Sequence, residues 1–361
     1  MLWIELTTIV KKINNNPEHD KEIYLLASDI INSGGLVAFP TETVYGLGAS
    51  YKNKDALKKI YSAKGRPQDN PLIVHISSLD ELDMVTKDMN LTAEMLIREF
   101  WPGPLTLIFN KEKTLLKELT GGLDTVGVRM PDNGVATSFI RHCGVPIAAP
   151  SANSSGKPSP TRASHVEFDL NGKIDMIIDG GNSVFGLEST ILDISVDKPI
   201  LLRPGSITVE MIKNVIGDIE IDKTILTKIE KDFIPKAPGM KYTHYSPKAK
   251  ITIVSGKIDD TVKKIEELTE SLINENIKSE KIGIFATEES KSYYDSDRFV
   301  VLSVGKRKDE ATIASNLFKI LRKFDYYNVD YVFSESFSET SLGLAIMNRL
   351  KKAAGYNILN V

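Results

Sequence analysis

The sequence predicts an α/β protein of two domains, and three observations carry that expectation. Short Val- and Ile-rich runs alternate with segments of helical period along most of the chain, as when strands pack against helices. Near Val209 this texture gives way to a Lys-, Ile- and Asp-rich stretch, after which the alternation restarts. At 361 residues the chain is also longer than one hydrophobic core ordinarily organises.

Taken in order, strands are expected at Gly35 to Phe39, Leu72 to Ile76, Leu105 to Phe109, Thr125 to Arg129, Pro146 to Ala149, Asp175 to Ile178 and Ser189 to Ile194, with helices between several of them. Asn53 can cap a helix whose apolar Ala56, Leu57, Ile60 and Tyr61 share one face and which runs out at Gly65 before Pro67. Past residue 235, three prolines and a glycine among Pro235 to Pro247 favour a tether over a helix. Beyond it, Lys250 to Val254, Lys281 to Phe285, Phe299 to Ser303 and Tyr331 to Phe333 read as strands. Between and after them come helices with Val262, Ile265, Leu268 and Leu272, with Ile313, Leu317, Ile320, Leu321 and Phe324, and with Leu344 to Leu350. Residues 1–215 are therefore expected to form the first domain, 216–248 a linker or lid, and 249–361 a smaller Rossmann-like α/β domain.

Composition narrows the partners. Lys and Arg number 45 against 48 Asp and Glu, a net charge of −3, so no overall cationic field exists and strong direct nucleic-acid binding is not expected. No run of 18 apolar residues suggests a membrane span, and the opening MLWIELTTIVKK places its lysines after the apolar run, the wrong order for a signal peptide. Cys143 is the single cysteine, which rules out an internal disulfide and suits a cytoplasmic location.

Phosphate-loop and dinucleotide-turn motifs are absent, and the five histidines lack metal-ligand spacing. Cys143 beside His142 is read as a buried, inert thiol. The chemistry is instead expected in polar segments at strand ends, where open α/β sheets place ligands. Phe39-Pro40-Thr41-Glu42-Thr43-Val44-Tyr45-Gly46-Leu47-Gly48 crowds hydroxyls, a carboxylate and two glycines into one loop. Lys64-Gly65-Arg66 pairs two cations around a glycine, and Arg66 offers a planar fork for phosphate oxygens. Ser151 to Thr161 packs hydroxyl and amide donors after an apolar strand. Arg129, Ser189 and Arg203 supply further donors. Each segment alone also fits a capped turn, a solvated pair or a linker. The tether adds Lys236, Lys241, Lys248 and Lys250 with no acid among them, which suits an anionic neighbour.

In order, Ala38 to Gly48, Lys64-Gly65-Arg66-Pro67, Trp101-Pro102-Gly103-Pro104, Ser151-Ala152-Asn153, Pro238 to Tyr245 and Ala345 to Leu350 resemble the YrdC/YciO family in its long, two-domain form. The resemblance spans nearly the whole chain. It implies a YrdC-like twisted mixed sheet with flanking helices, followed by the smaller domain. It also implies an activity: joining L-threonine, bicarbonate or CO2, and ATP into threonylcarbamoyl-adenylate and pyrophosphate, for a downstream transferase complex that modifies a tRNA adenosine. By the same resemblance Lys64, Arg66, Ser151 and Asn153 form the catalytic signature. Thr43, His75, Arg129, Ala149 and Ser189 would bind threonine. Arg66, Asn70, Thr125, Ser151, Ser159 and Arg203, with Tyr242 or Tyr245 of the tether, would bind ATP. Mg²⁺ is expected to accompany ATP, with no dedicated protein ligands. His75 is a candidate for a base acting on the threonine amine. Two other readings are a carbamoyl-adenylate-forming enzyme, which the single cysteine disfavours, and an RNA-binding or ribosome-maturation module, which the net charge disfavours.

Overall fold

The computed structural model describes residues 7–87, 89–227, 235–238, 240 and 245–361. These fall into two compact units, one within 1–155 and 159–241, the other within 156–158 and 242–361.

In the first unit the described strands are β1 (Ile9–Lys12), β2 (Val37–Phe39), β3 (Gly46–Ser50), β4 (Ile73–His75), β5 (Leu105–Asn110), β6 (Thr125–Arg129), β7 (Ile147–Ala149), β8 (Met176–Asp179), β9 (Thr190–Asp193), β10 (Ile200–Arg203) and β11 (Glu220–Ile221). They form one sheet in the order β1-β8-β2-β3-β7-β4-β6-β5-β9-β10-β11. Parallel pairs such as β4/β6 and β5/β9 alternate with antiparallel ones such as β4/β7 and β5/β6, so the sheet is mixed.

Local chemistry explains the elements around the site. The helix Lys54–Lys64 starts where the Asn53 side chain accepts from the Ala56 N–H at 3.1 Å and ends at Gly65, whose φ of +63° suits glycine. It buries Ala56, Leu57, Ile60 and Tyr61, the face read from sequence. The helices Pro17–Asn32 and Gly134–Cys143 share a core with Val37, Phe39, Ile147, Ala149 and Met176. Further along the sheet Ile73, Ile108, Ile191 and Leu202 are packed by Ala237 and Met240.

That last contact corrects the expected linker. Within 216–248, β11 pairs with β10 and Ala237 and Met240 enter the first unit's core, so the first part of the segment is built into the sheet domain. A segment with Ile219, Ile225, Ala237 and Met240 buried gains more from packing than a solvated connector would. Gly46 to Gly48, expected as loop, belong to the strand β3, because β2 and β7 pair with it on either side. Its glycine at 48 is required: a Cβ there would lie 2.8 Å from Ile147 Cγ2.

The second unit carries β12 (Lys250–Ser255), β13 (Ile282–Ala286), β14 (Val300–Ser303), β15 (Tyr331–Glu335) and β16 (Ile358–Asn360), all parallel, in the order β14-β13-β15-β12-β16. The helices Ile258–Asn274, Glu310–Tyr326 and Ser341–Ala353 supply the crossovers, as expected of a Rossmann-like domain. Residues 156–158 pack here: Ser246 N–H donates to Gly156 O at 3.0 Å and Arg322 Nη2 to Pro158 O at 2.6 Å.

Candidate active site

Strand register sets out the floor of the site. Side chains alternate across a strand, so Thr125, Gly127 and Arg129 of β6 share one face. His75 of β4 is the register partner of Arg129 and Ile73 that of Gly127, while Ala149 of β7 lies opposite Ile73. Across β5, Thr106 pairs with Ile191, which pairs in turn with Arg203 of β10. One row of the sheet therefore carries His75 and Arg129 and continues to Thr106 and Arg203. The neighbouring row, Ala149, Ile73, Gly127 and Ile108, is short and apolar. Thr125 lies at the other end of β6 from Arg129, about 13 Å away at ~3.3 Å per residue.

Arg129 is 3% exposed and held on three sides. Its Nε donates to Gly103 O at 3.1 Å, its Nη1 to Thr43 Oγ1 at 2.8 Å, and its Nη2 lies 2.5 Å from Glu42 Oε1 in a buried ion pair. Thr43 is oriented in turn: its hydroxyl meets Thr41 Oγ1 at 2.8 Å, and Thr41 Oγ1 donates to Val44 O at 2.6 Å. A proton chain runs from Arg129 through Thr43 and Thr41 to a main-chain carbonyl, which fixes the guanidinium plane. The sequence placed Glu42 in this loop as a carboxylate without a partner. Its partner lies far along the chain, on β6.

Ser189, Thr106 and Arg203 form a second knot. Arg203 donates from Nε to Ser189 O at 3.0 Å and from Nη2 to Ser189 Oγ at 3.1 Å, while Ser189 and Thr106 share a hydroxyl bond of 2.8 Å. Arg203 Nη1 reaches Pro238 O at 3.2 Å, so the tether's first residues close over this arginine. Ser159 Oγ donates to Glu188 Oε1 at 2.5 Å, next in sequence to Ser189. Thr106 and Glu188 escaped the sequence reading, because an alternating strand threonine and an acid beside a serine carry no motif.

The Lys-x-Arg and Ser-x-Asn signatures meet. Lys64 is 4% exposed and its Nζ donates to Ser151 O at 2.5 Å and to Asn153 O. Ser151 Oγ donates to Asn153 Oδ1 at 2.6 Å, and an isolated bridge ties Ser151 to Gly46. Arg66, at 9% exposure, turns its fork onto Asn70 O and Pro71 O, at 3.3 and 3.1 Å from Nη2. Sequence alone suggested a solvent-facing cation. The structure shows one that also braces the loop leading into β4, where buried Asn70 Oδ1 accepts no hydrogen bond from the described residues. Of the tether tyrosines, Tyr245 stacks on Phe318 at 5.0 Å in the second unit and is 4% exposed, whereas Tyr242 lies outside the described residues.

His75 does not suit the role of base. Its Nδ1 lies 3.1 Å from Ile73 O, and burial, with Arg129 nearby, pushes its pKa down to about 3. A neutral ring held to the main chain in this way is suited to orienting a ligand. Cys143 is 4% exposed and burial pushes its thiol up to about 12. Native protein treated with iodoacetamide at pH 8 is therefore expected to stay unlabelled, while urea-unfolded protein takes up one carbamidomethyl group by mass spectrometry. Among the described residues no group of three His, Cys, Asp or Glu could hold a metal ion, and no helix is long and apolar enough to cross a membrane.

Fold and site together define the class: an α/β enzyme whose mixed-sheet domain gathers anchored arginines, a buried lysine and hydroxyl donors, followed by an all-parallel second domain. Residues 29–205 match the Sua5/YciO/YrdC family model, described as telomere recombination, and residues 207–355 match the threonylcarbamoyl-AMP synthase C-terminal domain. The chain is 48% identical to threonylcarbamoyl-AMP synthase of Bacillus subtilis, over 92% of this chain and 93% of the relative. It is 48% identical to that of Pyrococcus abyssi, over 93% and 95%. The crystal structure of P. abyssi Sua5 complexed with L-threonine matches with a TM-score of 0.89 at 45% identity, covering 98% of this chain and 99% of that one. This chain belongs to the threonylcarbamoyl-AMP synthase family and is an enzyme of the nucleotidyltransferase type.

Proposed function

We propose that the enzyme condenses L-threonine, bicarbonate or CO2, and ATP into threonylcarbamoyl-AMP and pyrophosphate, in the cytoplasm, and passes the product to a transferase complex acting on tRNA. The observation that carries this reading is the pre-set Arg129. With Nε and Nη1 anchored, it offers Nη2 and the second Nη1 proton to an amino acid carboxylate. Ser189 and Thr43, on either side, suit the substrate hydroxyl. Support comes from P. abyssi Sua5, which is similar over nearly its whole length and whose crystal structure contains L-threonine.

Once the amine has become a carbamate, a carbamate oxygen attacks the α-phosphorus of ATP and pyrophosphate leaves. Lys64, Arg66 and Arg203 balance the charge that moves onto the leaving group, and the Ser151–Asn153 turn holds Lys64 in place. The reaction then rests on positioning and electrostatics, with no covalent protein intermediate. Magnesium would enter with ATP and add positive charge at the phosphates. Ala237, Pro238 and Met240, which already lie against Ile73 and Arg203, shield the labile adenylate from water. Pyrophosphate release is expected only when threonine, bicarbonate and ATP are all present. Serine should support it poorly, since a lost methyl contact is worth about 1–3 kcal/mol. Turnover of equal rate without threonine would remove this function.

A further inference from the structure

The carboxylate of Glu42 is the unexplained group at this site. It is 4% exposed, both oxygens are buried, and neither accepts a hydrogen bond from the described residues. Its strong neighbour among them is Arg129 Nη2. A buried carboxylate without N–H or O–H donors is poorly compensated even beside a cation, because an ionised carboxylate can accept several hydrogen bonds.

An incoming anion that took Nη2 from Glu42 would strand that carboxylate in the interior. A ligand carrying its own cation beside its anion avoids the problem. It offers a carboxylate to Arg129 and, one carbon away, an ammonium to Glu42, giving an alternating row of four charges. Arg129 need not move for this exchange, since Gly103 O and Thr43 hold its other edge. An α-amino acid zwitterion has this chemistry, and a hydroxy acid does not.

We propose that Glu42 receives the α-ammonium of the amino acid substrate and takes the proton that the nitrogen must lose before it is carboxylated. This rests on the reading above that the substrate is L-threonine. The balance is R–NH3⁺ plus Glu42–COO⁻ giving R–NH2 plus Glu42–COOH. The nitrogen lone pair then bonds to the carbon of CO2, one C–O π pair moves onto oxygen, and the second nitrogen proton passes to water, leaving R–NH–COO⁻. His75 does not compete for this role, its Nδ1 being turned to Ile73 O.

The test compares L-threonine with (R)-3-hydroxybutyrate, which keeps a carboxylate and a hydroxyl but lacks the amine, by calorimetry on the full chain. Wild type is expected to prefer threonine by about tenfold or more, and Glu42→Gln to weaken threonine by about tenfold, a charged hydrogen bond's worth, while 3-hydroxybutyrate, which no longer strands a carboxylate, binds more tightly. Pyrophosphate release by Glu42→Gln at saturating threonine should fall by about a hundredfold or more. Glu42→Asp keeps the charge beside Arg129, guards against a folding failure, and should lose part of both effects. Equal weakening of both ligands would mean that Glu42 only orients Arg129, and undiminished turnover would overturn the proton transfer. Wild type that ignores threonine altogether would instead bring down the threonine reading on which the proposal stands.

Discussion

Arg129→Ala is expected to cut threonine-dependent kcat/KM by about a thousandfold or more, the worth of two charge-assisted hydrogen bonds to a carboxylate. The same change should cost stability, because it leaves Glu42 buried without its cation, a defect worth about 3–5 kcal/mol. Catalysis and stability separate in the double variant. Removing Glu42 as well takes away the stranded charge, so Glu42→Ala with Arg129→Ala should regain most of the lost stability and none of the activity. Arg129→Lys keeps the charge but cannot reach Gly103 O, Thr43 and a carboxylate together, so it should restore little turnover. Urea unfolding measured beside pyrophosphate release reads both quantities. A stable but inactive Arg129→Ala would contradict the buried-pair account of its stability.

Lys64→Met carries the second large effect. Methionine keeps the hydrocarbon stem and removes the ammonium that donates to the carbonyls of Ser151 and Asn153. A buried acceptor, Asn153 O, and a part-buried one, Ser151 O, then lose this donor, at about 1–3 kcal/mol for the buried one if nothing replaces it. Loss of one preorganised cation at the transferring phosphoryl group is expected to lower kcat by about 10²–10³ with a smaller change in the threonine KM. Unchanged kcat with lowered stability would make Lys64 a structural brace of the Ser151–Asn153 turn and nothing more.

What could be read from sequence followed from how local each signal was. The helix Lys54–Lys64 lay open because its cap, its apolar face and its terminating glycine are all within a dozen or so consecutive residues. The apolar strands β5 and β6 were visible for the same reason. Gly46–Ser50 was hidden because two glycines weaken strand propensity, and only its neighbours β2 and β7 make it a strand. The exposed β1 and two-residue β11 bury too little to leave a hydrophobic pattern. At the site, Lys64, Ser151 and Asn153 stood out as short motifs, and the structure brings them together. The pairing of Glu42 with Arg129, and the inward turn of Arg66 onto Asn70 and Pro71, arise from tertiary contact. No spacing rule points to either.

If one site joins three substrates into a single adenylate, the product carries a part of each. The most direct measurement is mass spectrometry of the product formed from ATP, L-threonine and ¹³C-bicarbonate, quenched within a few turnovers. A single species containing AMP, threonine and one ¹³C atom, formed one for one with pyrophosphate and lost in Arg129→Ala, is the predicted result. Pyrophosphate formed without that species, or an adenylate that carries threonine but no ¹³C, would contradict the account.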